Sequence, residues 1–138
     1  MNDSNNRINW DKIRREGSHW SDDTAQYILE KFPGHDMHTC AAGISPSGIV
    51  HFGNFRDVIT AYAVYKALVA RGIKSRCIFS WDNFDRLRKV PANVPEDFKK
   101  YIGKPLSEVP SPEEGFSSYA EYFQKPFEQA MAELGIEL

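Results

Sequence analysis

The chain has 138 residues, 41% of them hydrophobic and 26% charged, with a formal net charge of −2. That length suits one domain, able to bury about two thirds of its unfolded surface, and the balance is that of a globular protein rather than a disordered or fibrous one. Near-neutral charge excludes a broad basic field for nucleic acid, though not local basic contacts.

The first residues, MNDSNNRINW, lack the apolar stretch of a signal peptide, and no apolar run approaches membrane-spanning length. A cytoplasmic protein with no membrane segment is therefore expected. Residues 1–20 read as a polar lead-in, with Trp10, Ile13 and Trp20 spaced for a short amphipathic helix. Ser21, Asp22 and Asp23 offer N-cap chemistry for the helix DTAQYILEKF, with Tyr27, Ile28 and Phe32 on one face and Pro33-Gly34 as its end. MHTCAAGI, Met37 to Ile44, is apolar, bounded by turns and too short for a helix, so it reads as a buried strand. The stretch PSGIVHFGN follows. From Asp57 to Arg71 the spacing of Val58, Ile59, Tyr62, Tyr65, Leu68 and Val69 predicts a helix, and Gly72 stands where a C′ glycine belongs. KSRCIFSW, Lys74 to Trp81, predicts a second strand.

Strand, glycine-rich turn, helix and strand make a βαβ unit, with a right-handed crossover and parallel strands. The fold class expected is α/β: half of a doubly wound, Rossmann-like parallel-sheet domain with flanking helices. From Asp82 to about Gly115 the chain is irregular and carries Pro91, Pro95, Pro105, Pro110 and Pro112. A loop of that length is usually functional or covers something; EDFKKYIG within it suggests a helical turn. SSYAEYFQKPFEQAMAELGIEL predicts a last helix with Tyr119, Phe123, Phe127, Met131 and Leu134 as its apolar stripe, Gly135 as its stop, and Pro126 as a kink or a junction.

Ligands of α/β sheets bind beyond the carboxyl ends of the strands, often at a helix N-terminus. Gly43, Gly48 and Gly53 let backbone approach a ligand there. The first helical turn carries a partial charge of about +0.5 that attracts phosphate, His51 adds a donor, and Asn54, three residues on, shares its face. Such a site works by position and electrostatics, not by a nucleophile. The plainer alternative is a glycine-rich loop whose histidine caps or packs. The stretch is neither a P-loop nor G-x-G-x-x-G. Asp82 and Asp85 fall at the same sheet edge, where they could bind an ammonium or a ribose hydroxyl, or simply pair with Arg86, Arg88 or Lys89. His35, His38 and Cys40 lack a second ligand pair, so no metal site is expected. Ser47 has no triad partners in order, which argues against a serine hydrolase. Cys40 and Cys77 are expected as buried, reduced thiols.

GISPSGIVHFGN, Gly43 to Asn54, resembles the HIGH signature region of class I aminoacyl-tRNA synthetases, in which Pro-x-Gly precedes His-x-Gly-His/Asn. HWSDDTA, GNFRDVITAYAVYKAL, DNFDRLRKVPANVP, YIGKPLSEVPSP and SSYAEYFQKPFEQAMAELGIE narrow the resemblance to class I lysyl-tRNA synthetases, from about Ser18 onward. On that basis residues 21–138 are the N-terminal portion of a catalytic domain. The resemblance implies that lysine and Mg²⁺·ATP give lysyl-adenylate, whose lysyl group passes to tRNA-Lys. It implies His51 and Asn54 as catalytic residues and Pro46, Ser47, Gly48, His51, Gly53 and Asn54 as the ATP site. Gly43, Ser45, Asp82 and Asp85 are implied as the lysine site.

The departures are Asn54 at the fourth signature position, Ser45 where threonine is usual, Tyr122 where histidine is expected and the unusual loop SPEEGF. The K-M-S-K-S signature and the second half of the fold do not occur in the chain. It therefore reads as a fragment, a split gene or a truncated paralogue, with a complementary synthetase half or self-association expected. A non-catalytic module binding nucleotide, lysine or protein is the alternative, and a small nucleotidyltransferase of the wider superfamily ranks third.

Overall fold

The computed structural model describes residues 18–137. The lead-in helix expected around Trp10 and Ile13 lies outside them. The elements are α1 (Trp20–Lys31), β1 (His38–Ile44), α2 (Phe52–Ala70), β2 (Ser75–Trp81), two 3-10 turns (Glu96–Tyr101 and Leu106–Glu108) and α3 (Tyr119–Glu133). β1 and β2 pair as one sheet. The His38 N–H donates to the Lys74 carbonyl at 3.1 Å, and the Asp82 N–H to the Ile44 carbonyl at 3.0 Å. These two bonds fix a parallel register, with His38 opposite Ser75 and Ile44 opposite Trp81. The α/β class and the βαβ order stand as read from the sequence.

The chain divides into two compact units. The first takes in residues up to Cys40 together with Thr60–Cys77. Its core is Ala25, Val64, Ala67 and Leu68, against which Ile28, Leu29, Cys40 and Ile73 pack. Gly72, at φ 75°, closes α2: its N–H reaches the Val69 carbonyl and the Ile73 N–H reaches the Leu68 carbonyl. This paired reversal satisfies two terminal carbonyls and folds Ile73 back onto the core. Arg71 binds the Asp22 carboxylate at 2.8 Å and the Asp22 carbonyl at 3.0 Å. Cys40 and Cys77 face each other across the sheet register, and both are free thiols of intermediate exposure. They are half-buried rather than fully buried as expected, with Cys40 packed at the margin of the first core; desolvation still holds both thiols above the ordinary cysteine range.

The second unit takes in Ala41–Ile59 and the chain from Ile78 onward. Its core is drawn largely from the proline-rich stretch: Leu87, Val94, Phe98, Leu106 and Val109 surround Tyr119, Ala120 and Phe123 of α3. The two 3-10 turns aim Phe98 and Leu106 inward, as the expected helical turn at EDFKKYIG required. Gly135, at φ 67°, closes α3, with the Ile136 N–H bonded to the Met131 carbonyl at 3.0 Å.

Several expected details differ. The N-cap of α1 is His19, whose Nδ1 accepts from the Ser21 N–H at 3.4 Å; Ser21 and Asp23 are buried inside the first turn. Phe32 caps the other end and is 49% exposed rather than part of a buried face. β1 alternates between exposed and half-buried positions, so it is covered on one face only. α2 begins at Phe52, five residues before the expected Asp57. α3 runs through Pro126 as one helix, not two. Leu134 is 63% exposed and Ile136 takes its place, because the glycine turn reverses the chain between them.

Leu106 is fully buried in the second core. Leu106→Ala should cost about 2–5 kcal/mol, read as a lower midpoint in urea unfolding followed by circular dichroism, whereas Leu134→Ala should change it by less than about 0.5 kcal/mol.

Candidate active site

Pro-Ser-Gly and His-Phe-Gly-Asn leave the carboxyl end of β1 and open α2. Phe52 is the first helical residue, so His51 holds the N-cap position. Its Nδ1 accepts the Gly53 N–H at 3.0 Å. In return, the Asn54 side-chain oxygen accepts the His51 N–H at 3.2 Å. The His51 carbonyl takes the Asn54 and Phe55 N–H groups at 2.9 and 3.2 Å. This is a capping box, with histidine in the serine position and asparagine in the glutamate position. Because Nδ1 accepts, the neutral ring carries its proton on Nε2. His51 is exposed, so that Nε2–H is a donor open to a ligand beside the positive end of the helix. Gly53 is required by this arrangement: a Cβ there would stand 2.8 Å from His51 Cε1 and 3.0 Å from Nδ1. The plainer expectation, a capping histidine, is thus correct as local structure, and the cap itself is what leaves the outer nitrogen as a donor.

The turn before it is anchored from below. Pro46 is fully buried. The Ser47 N–H returns to the Ser45 carbonyl at 2.8 Å, and the Ser47 carbonyl accepts the Tyr119 hydroxyl at 3.0 Å. Tyr119 is 0% exposed, and burial pushes its phenol up to about 12. A Cβ on Gly48 would meet Pro91 Cγ at 3.3 Å, so the turn also lies against the proline-rich stretch. Ser45 Oγ donates to Asp85 Oδ2. Asn83 accepts from Gln124, buried on α3. These ties fix the loop after β2 beside the turn after β1.

Between them lies a cleft of about 530 Å³ lined by Ser45, Ser47, Asp85, Arg86, Arg88 and Lys89. The structure brings Ser45, Ser47 and Asp85 together there. Asp82 sits apart from that lining, next to Gly43. A Cβ on Gly43 would fall 2.6 Å from Ser80 Oγ and 3.7 Å from the Asp82 carboxylate. His51, Gly53 and Asn54 form their own cluster at the start of α2. Among the described residues, none of the ion pairs includes Asp82 or Asp85, so the expected alternative of pairing with Arg86, Arg88 or Lys89 is not what holds them. Among the described residues there is also no group of three or more His, Cys, Asp or Glu side chains able to hold a metal. Tyr119, Asn83 and Gln124 escaped sequence reasoning. Tyr119 signals only as a stripe residue, and its hydroxyl, the feature that matters, has no periodicity.

A sequence profile of the family described as tRNA synthetases class I (K) matches residues 18–138. A lysine–tRNA ligase of Pyrococcus horikoshii is 47% identical over 120 residues, covering 87% of this chain and 23% of that protein. A lysine–tRNA ligase of Methanocaldococcus jannaschii is 43% identical, with 87% and 22% covered, and one of Methanosarcina barkeri is 47% identical, with 86% and 21% covered. The chain thus spans under a quarter of the length of these curated relatives.

The Tyr119 hydroxyl should ionise late, near pH 12, in a titration followed by tyrosinate absorbance. Its folded value lies above the unfolded one of about 10. The stability it contributes is therefore full below about pH 10 and lost as pH rises toward 12. Tyr119→Phe should abolish that late step and cost about 1 kcal/mol through the lost bond to Ser47.

Proposed function

The chain belongs to the family of class I (K) tRNA synthetases, and on that premise we propose that it carries the amino-acid and nucleotide pockets of a lysine–tRNA ligase. In the proposed reaction a lysine carboxylate oxygen attacks the α-phosphorus of Mg²⁺·ATP and pyrophosphate leaves. A terminal ribose hydroxyl of tRNA-Lys then attacks the lysyl carbonyl, and AMP leaves. Mg²⁺ enters with the triphosphate as part of the substrate.

The observation that carries this reading is the cleft in which the Ser45 hydroxyl and the Asp85 carboxylate meet. A carboxylate oriented by a hydroxyl, with no arginine or lysine ion-paired to it among the described residues, suits a substrate ammonium. In this reading Asp85 binds a lysine amino group and Ser45 holds its carboxylate in the receiving rotamer. Gly43 lets the substrate pass close to β1, and Asp82 shapes the pocket beyond it. His51 donates from Nε2 to a phosphate oxygen as charge moves onto the leaving pyrophosphate. Asn54 acts through His51, by locking the N-cap. Pro46, Ser47 and Gly48 set the turn on which the nucleotide lies, and Gly53 leaves the space that the His51 ring occupies. All of this is stabilisation of developing charge by groups already in place. The same reading includes a complementary synthetase segment or a second copy that adds strands to the two-stranded sheet, and a cytoplasmic location.

Calorimetric titration of the chain separates the two pockets. Asp85→Asn should weaken lysine binding about tenfold to a hundredfold, the worth of a hydrogen bond to a charged group, and leave ATP binding intact. His51→Ala should weaken ATP binding by about tenfold and leave lysine binding intact. Unchanged lysine affinity in Asp85→Asn would remove the assignment.

A further inference from the structure

β1 and β2 bring together the two cysteines of the chain. Cys40 lies two residues after His38 and Cys77 two after Ser75, and the bond from the His38 N–H to the Lys74 carbonyl pairs His38 with Ser75. The parallel register therefore sets Cys40 directly opposite Cys77. Residues so paired point to the same side of a sheet, here the side whose positions are half-buried in both strands. Both thiols are free. Desolvation is the main cause that raises both above the ordinary cysteine range, and at Cys40 the charge of the Cys77 sulfur adds to the rise. Each sulfur is thus within electrostatic reach of the other. A core thiol needs only to pack, and Cys40 does pack at the margin of the Ala25, Val64, Ala67 and Leu68 core. Packing accounts for one cysteine, not for two that face each other and stay half-exposed.

The spacing selects what such a pair can hold. Neighbouring strands lie about 4.8 Å apart, so sulfurs standing upright on them are separated by about that distance. A disulfide needs about 2.05 Å, which would make both side chains lean together. Two metal–thiolate bonds of about 2.3 Å, laid end to end, span about 4.6 Å and fit the upright side chains. The adjoining positions on the same face are His38, Ala42, Ser75 and Phe79. Only His38 is a ligand type, and its ring lies 6.0 Å from that of His35. The pair thus offers two soft ligands, not the four that structural zinc takes, and soft thiolates in so small a number suit a closed-shell monovalent cation. We propose that Cys40 and Cys77 form a two-coordinate site for a soft monovalent cation such as Cu⁺, which bridges β1 and β2 through their sulfurs. On binding, two S–H bonds break, two metal–sulfur bonds form and two protons pass to solvent; no oxidation state changes. The ion leaves one net negative charge where two bare thiolates would carry two, and so offsets the desolvation that otherwise keeps the thiols protonated. The site does not draw on the proposed ligase reading.

Alkylation of the whole chain, counted by mass spectrometry without oxygen and with Ag⁺ as a redox-inert probe, tests it. Iodoacetamide alone should label both cysteines. One equivalent of Ag⁺ should protect both. At half an equivalent the chains should divide into doubly labelled and unlabelled forms, because one ion holds both sulfurs. Zn²⁺ at the same concentration should protect neither. Ag⁺ should raise the thermal unfolding midpoint, since it binds the folded chain. Cys40→Ala and Cys77→Ala should each weaken Ag⁺ binding more than about a hundredfold, beyond the loss usual for an outer-sphere partner of a metal, and abolish that rise. Mostly singly labelled chains at half an equivalent, or equal protection by Zn²⁺, would overturn the site. So would an ion-dependent dimer in sedimentation, where the ion joins two chains. Protection that arises without the ion and is undone by dithiothreitol marks a disulfide and overturns it equally. The labelling pattern is read on the unaltered chain, so it decides the matter even where a variant fails to fold.

Discussion

The capping box at His51 and Asn54 is the constraint from which the rest of the site follows. It starts α2 at Phe52 instead of a turn later. That start brings the first helical amides to the carboxyl end of β1, where the parallel register also delivers the loop after β2. It commits Nδ1 of His51 inward and leaves Nε2 as the donor. It also forbids a side chain at Gly53, whose Cβ would occupy the space of the imidazole. Histidine, glycine and asparagine are thus parts of one local structure, the cap that starts α2.

Around this start the second unit acts as a brace. The buried hydroxyl of Tyr119 holds the Ser47 carbonyl, Gln124 holds Asn83, and Ser45 holds Asp85. Each tie joins a loop at the sheet edge either to α3 or to the other loop. Buried polar groups that all find partners orient their neighbours without leaving an uncompensated dipole; among the described residues no buried side-chain nitrogen or oxygen lacks a partner. The proline-rich stretch supplies the apolar floor beneath these ties through Leu87, Val94, Phe98, Leu106 and Val109. A loop dense in proline costs little conformational entropy to fix, so it can serve as scaffold while offering charged side chains outward.

Much of this was legible in the residues. Hydrophobic spacing at three and four located α2 and α3, short apolar runs located both strands, and their order dictated the parallel pair. The start of α2 was not legible by periodicity, because Gly53 and Asn54 are weak helix formers and become helical only through the reciprocal cap. Leu134 continued the apolar stripe on paper, but the left-handed glycine after it reverses the chain and buries Ile136 instead. His19 displaced Ser21 and Asp23 as a cap because an imidazole nitrogen accepts as a carboxylate does. The core of the irregular stretch carries no period at all, so its inward residues emerge only from long-range packing. At the site, Ser45 and Asp85 were each visible as candidates; their direct contact, forty positions apart in sequence, was not.

In the proposed reaction one adenylate spans both pockets, its phosphate at the α2 start and its amino-acid ammonium at Asp85. A crystal structure of the chain with a non-hydrolysable lysyl-adenylate analogue measures this directly. The phosphate-mimicking group should lie within hydrogen-bond distance of His51 Nε2, and a lysyl ammonium should sit on the Asp85 carboxylate. An analogue bound with neither contact, or with its lysyl chain directed away from Ser45 and Asp85, would contradict it.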